Sequence, residues 1–288
     1  MARQSVCNIL LLSHKKWEII KTNHQSIRQK CWLRQFEWHT FMQRILPCVL
    51  SMFLILSARA QDAKEIVKRA DDRAKGKTSK ANMTIQIVRP NWSREMMMTT
   101  WTQGNDFALI LVTSPVKEKG IVYLKRKKEV WNWLPAIERN IKLPPSMMSQ
   151  SWMGTDFTND DLVKEASIVE DYDHSIVKDS MIDGKICYMI QMLPKPQSSV
   201  VWGKIFLWID KKDFLMMRAE YYDEDGKPVN TMHCSDIKML GGKLLPARIE
   251  MAPVEKKGHK TVLLYNSLEF DKPITDNFFT TQNMQRVQ

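Results

Sequence analysis

The 288-residue sequence is basic, with 43 Lys and Arg against 32 Asp and Glu and a formal net charge of +11 at pH 7. Such a balance suits a polyanionic partner, but residues 1–60 hold nine of the basic and only two of the acidic residues, so residues 61–288 have a net charge of +4. Because this remainder has no basic helix and no clustered aromatic-basic motif, nucleic-acid binding is disfavoured.

A signal peptide is predicted at residues 42–60. An apolar run from Ile45 to Ala58 follows Arg44 and ends in the small-residue pattern Ala58-Arg59-Ala60, which is typical of a cleaved secretory signal. The run is shorter than the about 20 residues that a membrane helix needs. A buried core helix is the alternative interpretation.

Cleavage after Ala60 is expected to leave residues 61–288 as one soluble, unanchored domain. Residues 1–41 are interpreted as an upstream extension from a start codon placed too early, with Met42 the true start; an unusually long amino-terminal region of the signal is the alternative. Of the five cysteines, only Cys187 and Cys234 follow residue 60. Export would allow a disulfide between them, although two small buried hydrophobic residues are the favoured interpretation.

Residues 62–134 predict one helix followed by strands. The segment from Asp62 to Lys75 has a helical stripe of small and aliphatic residues, and Gly76 is placed to end it. The period then changes to two, which is typical of half-buried strands. Strands are predicted from Asn82 to Arg89, Glu95 to Thr102, Phe107 to Thr113, Gly120 to Arg126 and Glu129 to Leu134, with a hairpin turn at Gly104-Asn105.

The segment from Pro135 to Lys164 lacks strand periodicity and predicts a long ordered loop with short helices. Thr158 is a candidate cap for a helical turn, with Asp161 three residues later.

Residues 175–270 predict a second run of strands separated by short turns. They extend from Ser175 to Ile182, Lys185 to Leu193, Gly203 to Asp210, Phe214 to Tyr222, Val229 to Met239, Lys243 to Met251 and Thr261 to Phe270, with turns at Asp183-Gly184, Asp225-Gly226 and Gly241-Gly242. Regular turn spacing favours an antiparallel meander. The expected fold is mainly β with helices (α+β): a half-open antiparallel barrel of about eleven strands, covered by helices and a lid loop.

Several strands are apolar on both faces, which requires material on both sides of the sheet. Residues 61–288 also contain 16 methionines, whose flexible side chains adapt to ligands of variable shape. An ordinary packed core is the competing interpretation. The candidate cavity or lid residues are Trp131, Trp133, Met147, Met148, Trp152, Met153, Phe206 and Trp208.

Several motifs together resemble the LolA-like outer-membrane lipoprotein-sorting family. They are Trp131-Asn132-Trp133-Leu134-Pro135, Gln150-Ser151-Trp152-Met153-Gly154-Thr155-Asp156-Phe157, Glu220-Tyr221-Tyr222-Asp223 and Pro246-Ala247-Arg248-Ile249-Glu250. The resemblance implies a periplasmic location and a hydrophobic cavity for lipoprotein acyl chains or related lipids. No residue here matches the family carrier's functional arginine, so no site residue is carried over.

No catalytic or metal-binding pattern stands out, so the chain is predicted not to be an enzyme and to need no cofactor or metal. A G-x-S-x-G elbow is absent, and adjacent His233 and Cys234 point to opposite faces of a strand, which is poor for joint ligation. The leading hypothesis is a carrier of lipoprotein or lipid acyl chains that exchanges cargo with membrane donor and acceptor proteins. A lipoprotein sensor and, less favoured, a lipid hydrolase are the alternatives.

Overall fold

Thirteen antiparallel strands form one sheet in the computed structural model, which describes residues 63–127, 129–163 and 167–287. The predicted signal peptide and the segment 1–41 lie outside these residues. A helix, α1, covers residues 63–73, and a short helix, α2, covers Asn159–Val163. Single 3-10 turns occur at Pro135–Ile137, Pro145–Met147, Asp276–Phe278 and Asn283–Gln285.

The strands divide into two groups along the chain. The first group is β1 (Thr78–Arg89), β2 (Trp92–Gln103), β3 (Phe107–Ser114), β4 (Val122–Arg126), β5 (Glu129–Leu134) and β6 (Arg139–Leu143). The second group is β7 (Tyr172–Ile182), β8 (Lys185–Pro194), β9 (Lys204–Asp210), β10 (Met216–Tyr222), β11 (Pro228–Leu240), β12 (Lys243–Pro253) and β13 (Lys260–Phe270).

Each group is a meander, and the two meanders join where β1 pairs with β13. The order across the sheet is β6-β5-β4-β3-β2-β1-β13-β12-β11-β10-β9-β8-β7, so β6 and β7 are its two edges. The mainly β antiparallel expectation is confirmed, and an open sheet of this kind is consistent with a half-open barrel. The predicted count of about eleven strands is wrong, because the sheet has thirteen. The twelve individual segments predicted from the sequence correspond to every strand except β6.

The missed strand β6 lies inside the segment predicted to be a loop. As an edge strand it has only one partner, β5, and most of its side chains are exposed. Its five residues contain only Ile141 and Leu143 as an apolar alternation, which is too short a pattern to identify a half-buried strand. The helical cover is also smaller than expected, since α2 has only five residues.

Two tight turns confirm the hairpins predicted at Asp183-Gly184 and Gly241-Gly242. Asp183 and Gly184 have φ values of +47° and +75°, and Gly241 and Gly242 have values of +56° and +80°. Two successive positive φ angles match the twist of a two-residue hairpin.

Gly76 does not end helix α1 as predicted. Helix α1 stops at residue 73, and a Cβ at Gly76 would lie 2.8 Å from the Thr78 carbonyl oxygen.

The sheet has an inner face, defined here as the face on which α1 and Trp152 pack. Ala63, Ile66, Val67 and Ala70 of α1 are buried there, which confirms the predicted helical stripe. Strand alternation places Ile205, Leu207 and Ile209 of β9 in this inner cluster, while Phe206 and Trp208 belong to a separate cluster on the opposite face. The prediction that several strands are apolar on both faces is thus confirmed for β9.

The carboxy-terminal segment, residues 271–287, covers the outer face of β3, β4 and β5. Its Phe279 and Met284 are buried against Leu109, Leu111 and Leu124. Phe278 packs near Trp101 with 5.3 Å between ring centroids. The carboxy-terminal segment therefore covers part of the outer face and leaves the inner face to other elements.

Candidate functional site: the inner face and the segment that crosses it

The sheet order forces one segment to cross the molecule. Strands β6 and β7 follow each other along the chain but lie at opposite edges of the sheet. The described residues between these strands, 144–163 and 167–171, are called the crossing segment below, and they link one edge of the sheet to the other. Met148, Trp152, Phe157 and Val169 of this segment are buried in the inner cluster. The segment includes most of the loop from Pro135 to Lys164 that the sequence predicted to be lid-like.

Trp152 is the centre of the apolar contact between this segment and the sheet. Its side chain is 0% exposed, and its indole lies 5.5 Å from the ring of Tyr123 on β4, measured between centroids. The backbone around it is a small hairpin, because the Trp152 N–H donates to the Phe157 carbonyl oxygen at 2.9 Å. This hairpin presents one large aromatic side chain to the inner face.

A buried ion pair fixes the tip of the hairpin to β1 and β13. Arg89 donates from Nη1 to Asp156 Oδ2 at 2.9 Å and from Nη2 to Asp156 Oδ1 at 3.1 Å. The Thr261 hydroxyl donates to Asp156 Oδ2 at 2.7 Å and accepts from the Asp156 backbone N–H at 2.9 Å. The Arg89 and Asp156 side chains are only 10% and 9% exposed. A bidentate, charge-assisted contact of this kind fixes orientation as well as position.

A second arginine holds the same hairpin from β2. Arg94 Nη2 donates to the Met153 carbonyl oxygen at 2.5 Å, and Arg94 Nη1 contacts Glu118 Oε1 at 2.7 Å. Met153 has a left-handed backbone with φ of +48°, which is uncommon for a residue with a side chain. The crossing segment is thus attached at its tip by polar contacts and along its length by apolar ones.

The predicted helix cap is confirmed. The Thr158 N–H donates to Asp161 Oδ2 at 2.8 Å, and the Asp161 N–H donates to Thr158 Oγ1 at 3.1 Å, which is the reciprocal pattern of a capping box. Burial raises the pKa of Asp161, and the hydrogen bonds from Thr158 oppose that shift.

Two tyrosines near the crossing segment are also affected by burial. Burial raises the pKa of Tyr172 and Tyr221, so both phenols are protonated at neutral pH.

The eight predicted lining residues do not gather at one place. Met147, Met148, Trp152 and Met153 lie together in the crossing segment and pack with the inner cluster. The other four belong to clusters on the outer face of the sheet. Trp131 and Trp133 lie in the cluster beneath the carboxy-terminal segment, and Phe206 and Trp208 lie in the cluster opposite the inner face of β9. Contact between any of the eight and a ligand stays a prediction.

Sequence reasoning missed most of the inner face, which is rich in methionine. Seven methionines are buried there: Met83, Met96, Met98, Met148, Met192, Met232 and Met251. The period-two pattern already separated Met96 and Met98 from Met97 on β2. Which of the two faces is the inner one depends on the path of the crossing segment, and no local pattern shows that path.

The structure supports the simple interpretation of the two cysteines. Cys187 and Cys234 are free and buried. Burial raises the pKa of the Cys187 thiol to about 11 and that of Cys234 to about 12. Both are therefore protonated at neutral pH, and they pack as small hydrophobic residues.

His174, His233 and the crossing-segment residue Ser151 each form a hydrogen bond with a nearby oxygen atom. The ring of His174 is 2.7 Å from the Ile168 carbonyl oxygen, and that of His233 is 2.7 Å from Asp183. Ser151 Oγ donates to the Thr155 carbonyl oxygen at 2.5 Å. Within the described parts of the chain, no group of three or more His, Cys, Asp or Glu side chains is arranged to hold a metal ion.

Comparison with solved structures defines the fold class. A DUF1329 family protein from Desulfovibrio piger has a TM-score of 0.72 at 22% identity and covers 79% of this chain and 99% of its own. A Vibrio parahaemolyticus domain named for outer membrane lipoprotein sorting has a TM-score of 0.71 at 22% identity, with 79% and 100% covered. A LolA superfamily protein from Nitrosomonas europaea scores 0.67 at 23% identity, with 77% and 98% covered.

These similarities confirm the LolA-like resemblance as one of fold. A family model described only as an uncharacterized protein matches residues 104–286, and the chain belongs to that family. No curated protein matches the sequence. Across residues 63–127, 129–163 and 167–287, none of the helices has the length and apolar character needed to cross a membrane.

Proposed function

We propose that this chain is a non-enzymatic periplasmic carrier, which binds the acyl chains of lipoproteins or lipids and takes part in outer-membrane sorting. The observation that carries the proposal is the inner face. It is an apolar surface to which strands from both meanders contribute. Among the described residues, helix α1, the crossing segment and the β8–β9 loop with Trp202 pack on it, and no second sheet does. The similarity in fold to a domain named for lipoprotein sorting supports the same conclusion.

The chemistry of the inner face suits hydrocarbon. Burying one methylene group contributes about 0.8 kcal/mol, so an acyl chain of some fourteen methylenes offers roughly 11 kcal/mol before the costs of binding. The seven buried methionines have unbranched, flexible side chains, and such side chains can repack around a ligand with little strain. An acyl chain needs no charged or catalytic group to be held on such a surface.

The crossing segment is the part of the cover that we expect to move. Its apolar side chains pack on the inner face, and an incoming acyl chain would take their place. Its tip is attached through Asp156 and Met153, so opening requires the loss of these few directed contacts. Exchange with membrane donor and acceptor proteins would occur while the segment is displaced.

The direct test is to export residues 61–288 in a bacterium with an outer membrane, purify the protein and analyse co-purified lipid by native mass spectrometry. We expect an acyl-bearing molecule in a fixed ratio to protein, displaced by a fluorescent fatty acid. Displacement of a lipopeptide and transfer to outer-membrane vesicles would support sorting. Failure to bind any acyl compound would refute the proposal.

Two neighbouring methionines provide a matched pair of variants. Met98 is buried on the inner face, whereas Met97 on the same strand is 45% exposed. Met98→Gln buries an amide where hydrocarbon would lie and is expected to weaken fatty-acid binding by roughly tenfold. Met97→Gln should leave binding unchanged. Thermal unfolding of both variants shows whether the folded state survives.

A further inference from the structure

One end of the sheet has exposed apolar side chains on four neighbouring strand connections. Successive strands of a meander run in opposite directions, so alternate connections lie at the same end of the sheet. Four connections at this end, called the rim below, are residues 90–92, 115–121, 135–138 and 254–259. Their exposed large apolar side chains are Trp92, Val116, Ile137 and Val254. Val116 is the most exposed of them, at 92%.

The four connections form one continuous surface. A Cβ at Gly258 would lie 3.4 Å from Cγ of Pro90, so the β12–β13 and β1–β2 connections are in contact. A Cβ at Gly120 would lie 3.5 Å from Cγ of Pro135, so the β3–β4 and β5–β6 connections are in contact as well. Because β2 pairs with β3, the β1–β2 and β3–β4 connections are also adjacent.

The rim also has an excess of positive charge. Four of its lysines are exposed and form no ion pair with any residue that the structure describes. They are Lys117, Lys119, Lys256 and Lys257. Three acidic residues lie in the same connections, but Glu118 pairs with Arg94 at 2.7 Å. Only Glu138 and Glu255 therefore offset the four lysines.

The opposite end of the sheet exposes apolar side chains too, but a nearby lysine there is paired. Met181 and Met239 are 68% and 64% exposed at that end. Lys238, the neighbour of Met239, contacts Asp236 at 3.1 Å. Scattered exposed apolar residues are ordinary in a folded protein. The feature that distinguishes the rim is the combination of apolar side chains with unpaired lysines.

We propose that the rim docks on a lipid bilayer that contains anionic phospholipid. Apolar side chains on turns can enter the interfacial layer of a bilayer, where Trp in particular is enriched. Each lysine near an anionic membrane surface strengthens binding by about fivefold. A protein partner fits less well, because the core of a protein–protein interface is depleted in lysine, whereas in the rim lysines alternate with apolar side chains.

This docking goes beyond acyl carriage, because it uses the rim and no residue of the inner face. Arg89 and Arg94 attach the tip of the crossing segment at the same end of the sheet. Docking therefore brings that tip to the membrane surface. The rim consists of strand connections, so it remains in place when the crossing segment moves.

The test is flotation of the exported protein with lipid vesicles. One set of vesicles contains phosphatidylethanolamine with the anionic lipid phosphatidylglycerol, and the other contains phosphatidylcholine alone. We expect binding to the anionic vesicles to be at least about tenfold stronger at low ionic strength, and this preference to disappear at high salt. Binding to neither set, or equal binding to both, would overturn the proposal.

A matched pair of double variants tests the rim itself. Trp92→Gln combined with Val116→Gln removes two exposed apolar side chains from the rim and should weaken vesicle binding by at least about tenfold. Met181→Gln combined with Met239→Gln removes two from the opposite end and should leave binding unchanged. All four side chains are exposed, so both variants are expected to fold. Equal losses in the two variants would show that the rim is not the docking surface.

Fatty-acid binding by the same samples separates docking from carriage. A protein that binds fatty acid but no vesicles overturns docking and leaves carriage standing. A protein that binds anionic vesicles but no acyl compound supports docking and overturns carriage. Binding to native outer-membrane vesicles but not to protein-free anionic vesicles would overturn lipid docking and identify a protein as the partner.

Discussion

The ion pair between Arg89 and Asp156 allows a demanding test of how the crossing segment is held. Asp156→Asn removes the negative charge from an acceptor that receives two hydrogen bonds from Arg89 and one from Thr261. The Arg89 side chain is 10% exposed, so its charge would be left largely buried without a counter-ion.

The expected cost is large for a conservative substitution. Breaking a buried ion pair by neutralising one partner typically costs 3–5 kcal/mol. Arg89 keeps the carbonyl oxygens of Val88, Gly154 and Lys260 as acceptors. We therefore expect a value near the lower end of that range, about 3 kcal/mol in the free energy of unfolding.

Urea unfolding followed by tryptophan fluorescence measures this cost. The control is Asp225→Asn, because Asp225 pairs with Lys227 at 3.8 Å and both side chains are more than 70% exposed. An exposed pair of this kind contributes at most about 1 kcal/mol. Hydrogen exchange of the Trp152 and Thr155 amides should also speed up in Asp156→Asn, since both lie in the hairpin that the ion pair attaches. Equal costs for the two variants would show that Asp156 does not hold the segment.

Three further results are expected. A thiol reagent at pH 8 should leave Cys187 and Cys234 unmodified in the folded protein and react with both after unfolding. The reason is that burial raises their pKa values to about 11 and about 12. Rapid reaction of the native protein would contradict this expectation. Phe279→Ala should destabilise the protein by about 3–5 kcal/mol without altering fatty-acid affinity, since Phe279 is buried on the outer face; weakened binding in the folded variant would place the ligand elsewhere. Burial raises the pKa of Asp161 above its usual 3.8, so the folded state binds this proton more tightly than the unfolded state. Its contribution to stability is therefore full below pH 3.8 and is lost as the pH rises through the raised pKa. Asp161→Asn should remove that part of the pH dependence in urea titrations from pH 3 to pH 8, and an unchanged profile would refute the assignment.

Local sequence patterns predicted much of the fold because they report local physics. Alternation identified β9 as apolar on both faces, and paired turn residues located the hairpins at Asp183-Gly184 and Gly241-Gly242. The spacing of Thr158 and Asp161 predicted the capping box that begins α2. In each case the residues that form the structure are near neighbours in the chain.

The candidate site was harder to predict, because it depends on faces and edges. Trp131 and Trp133 are as apolar as Trp152, yet they lie beneath the carboxy-terminal segment while Trp152 lies on the inner face. Strand β6 escaped notice because an edge strand shows little apolar alternation. Periodicity shows that two residues share a face, but it does not show what covers that face.

The sequence by itself determined an antiparallel β protein with one amphipathic helix, a capped turn and a family resemblance that the fold confirms. Only the tertiary structure decided that β6 and β7 lie at opposite edges of the sheet, and that the crossing segment packs on its inner face. The same pairing of distant strands brought Arg89 to Asp156 and Arg94 to Glu118. The physical reason is that strand order is set by hydrogen bonds between segments far apart in the chain, whereas turns and periodicity are set by neighbours.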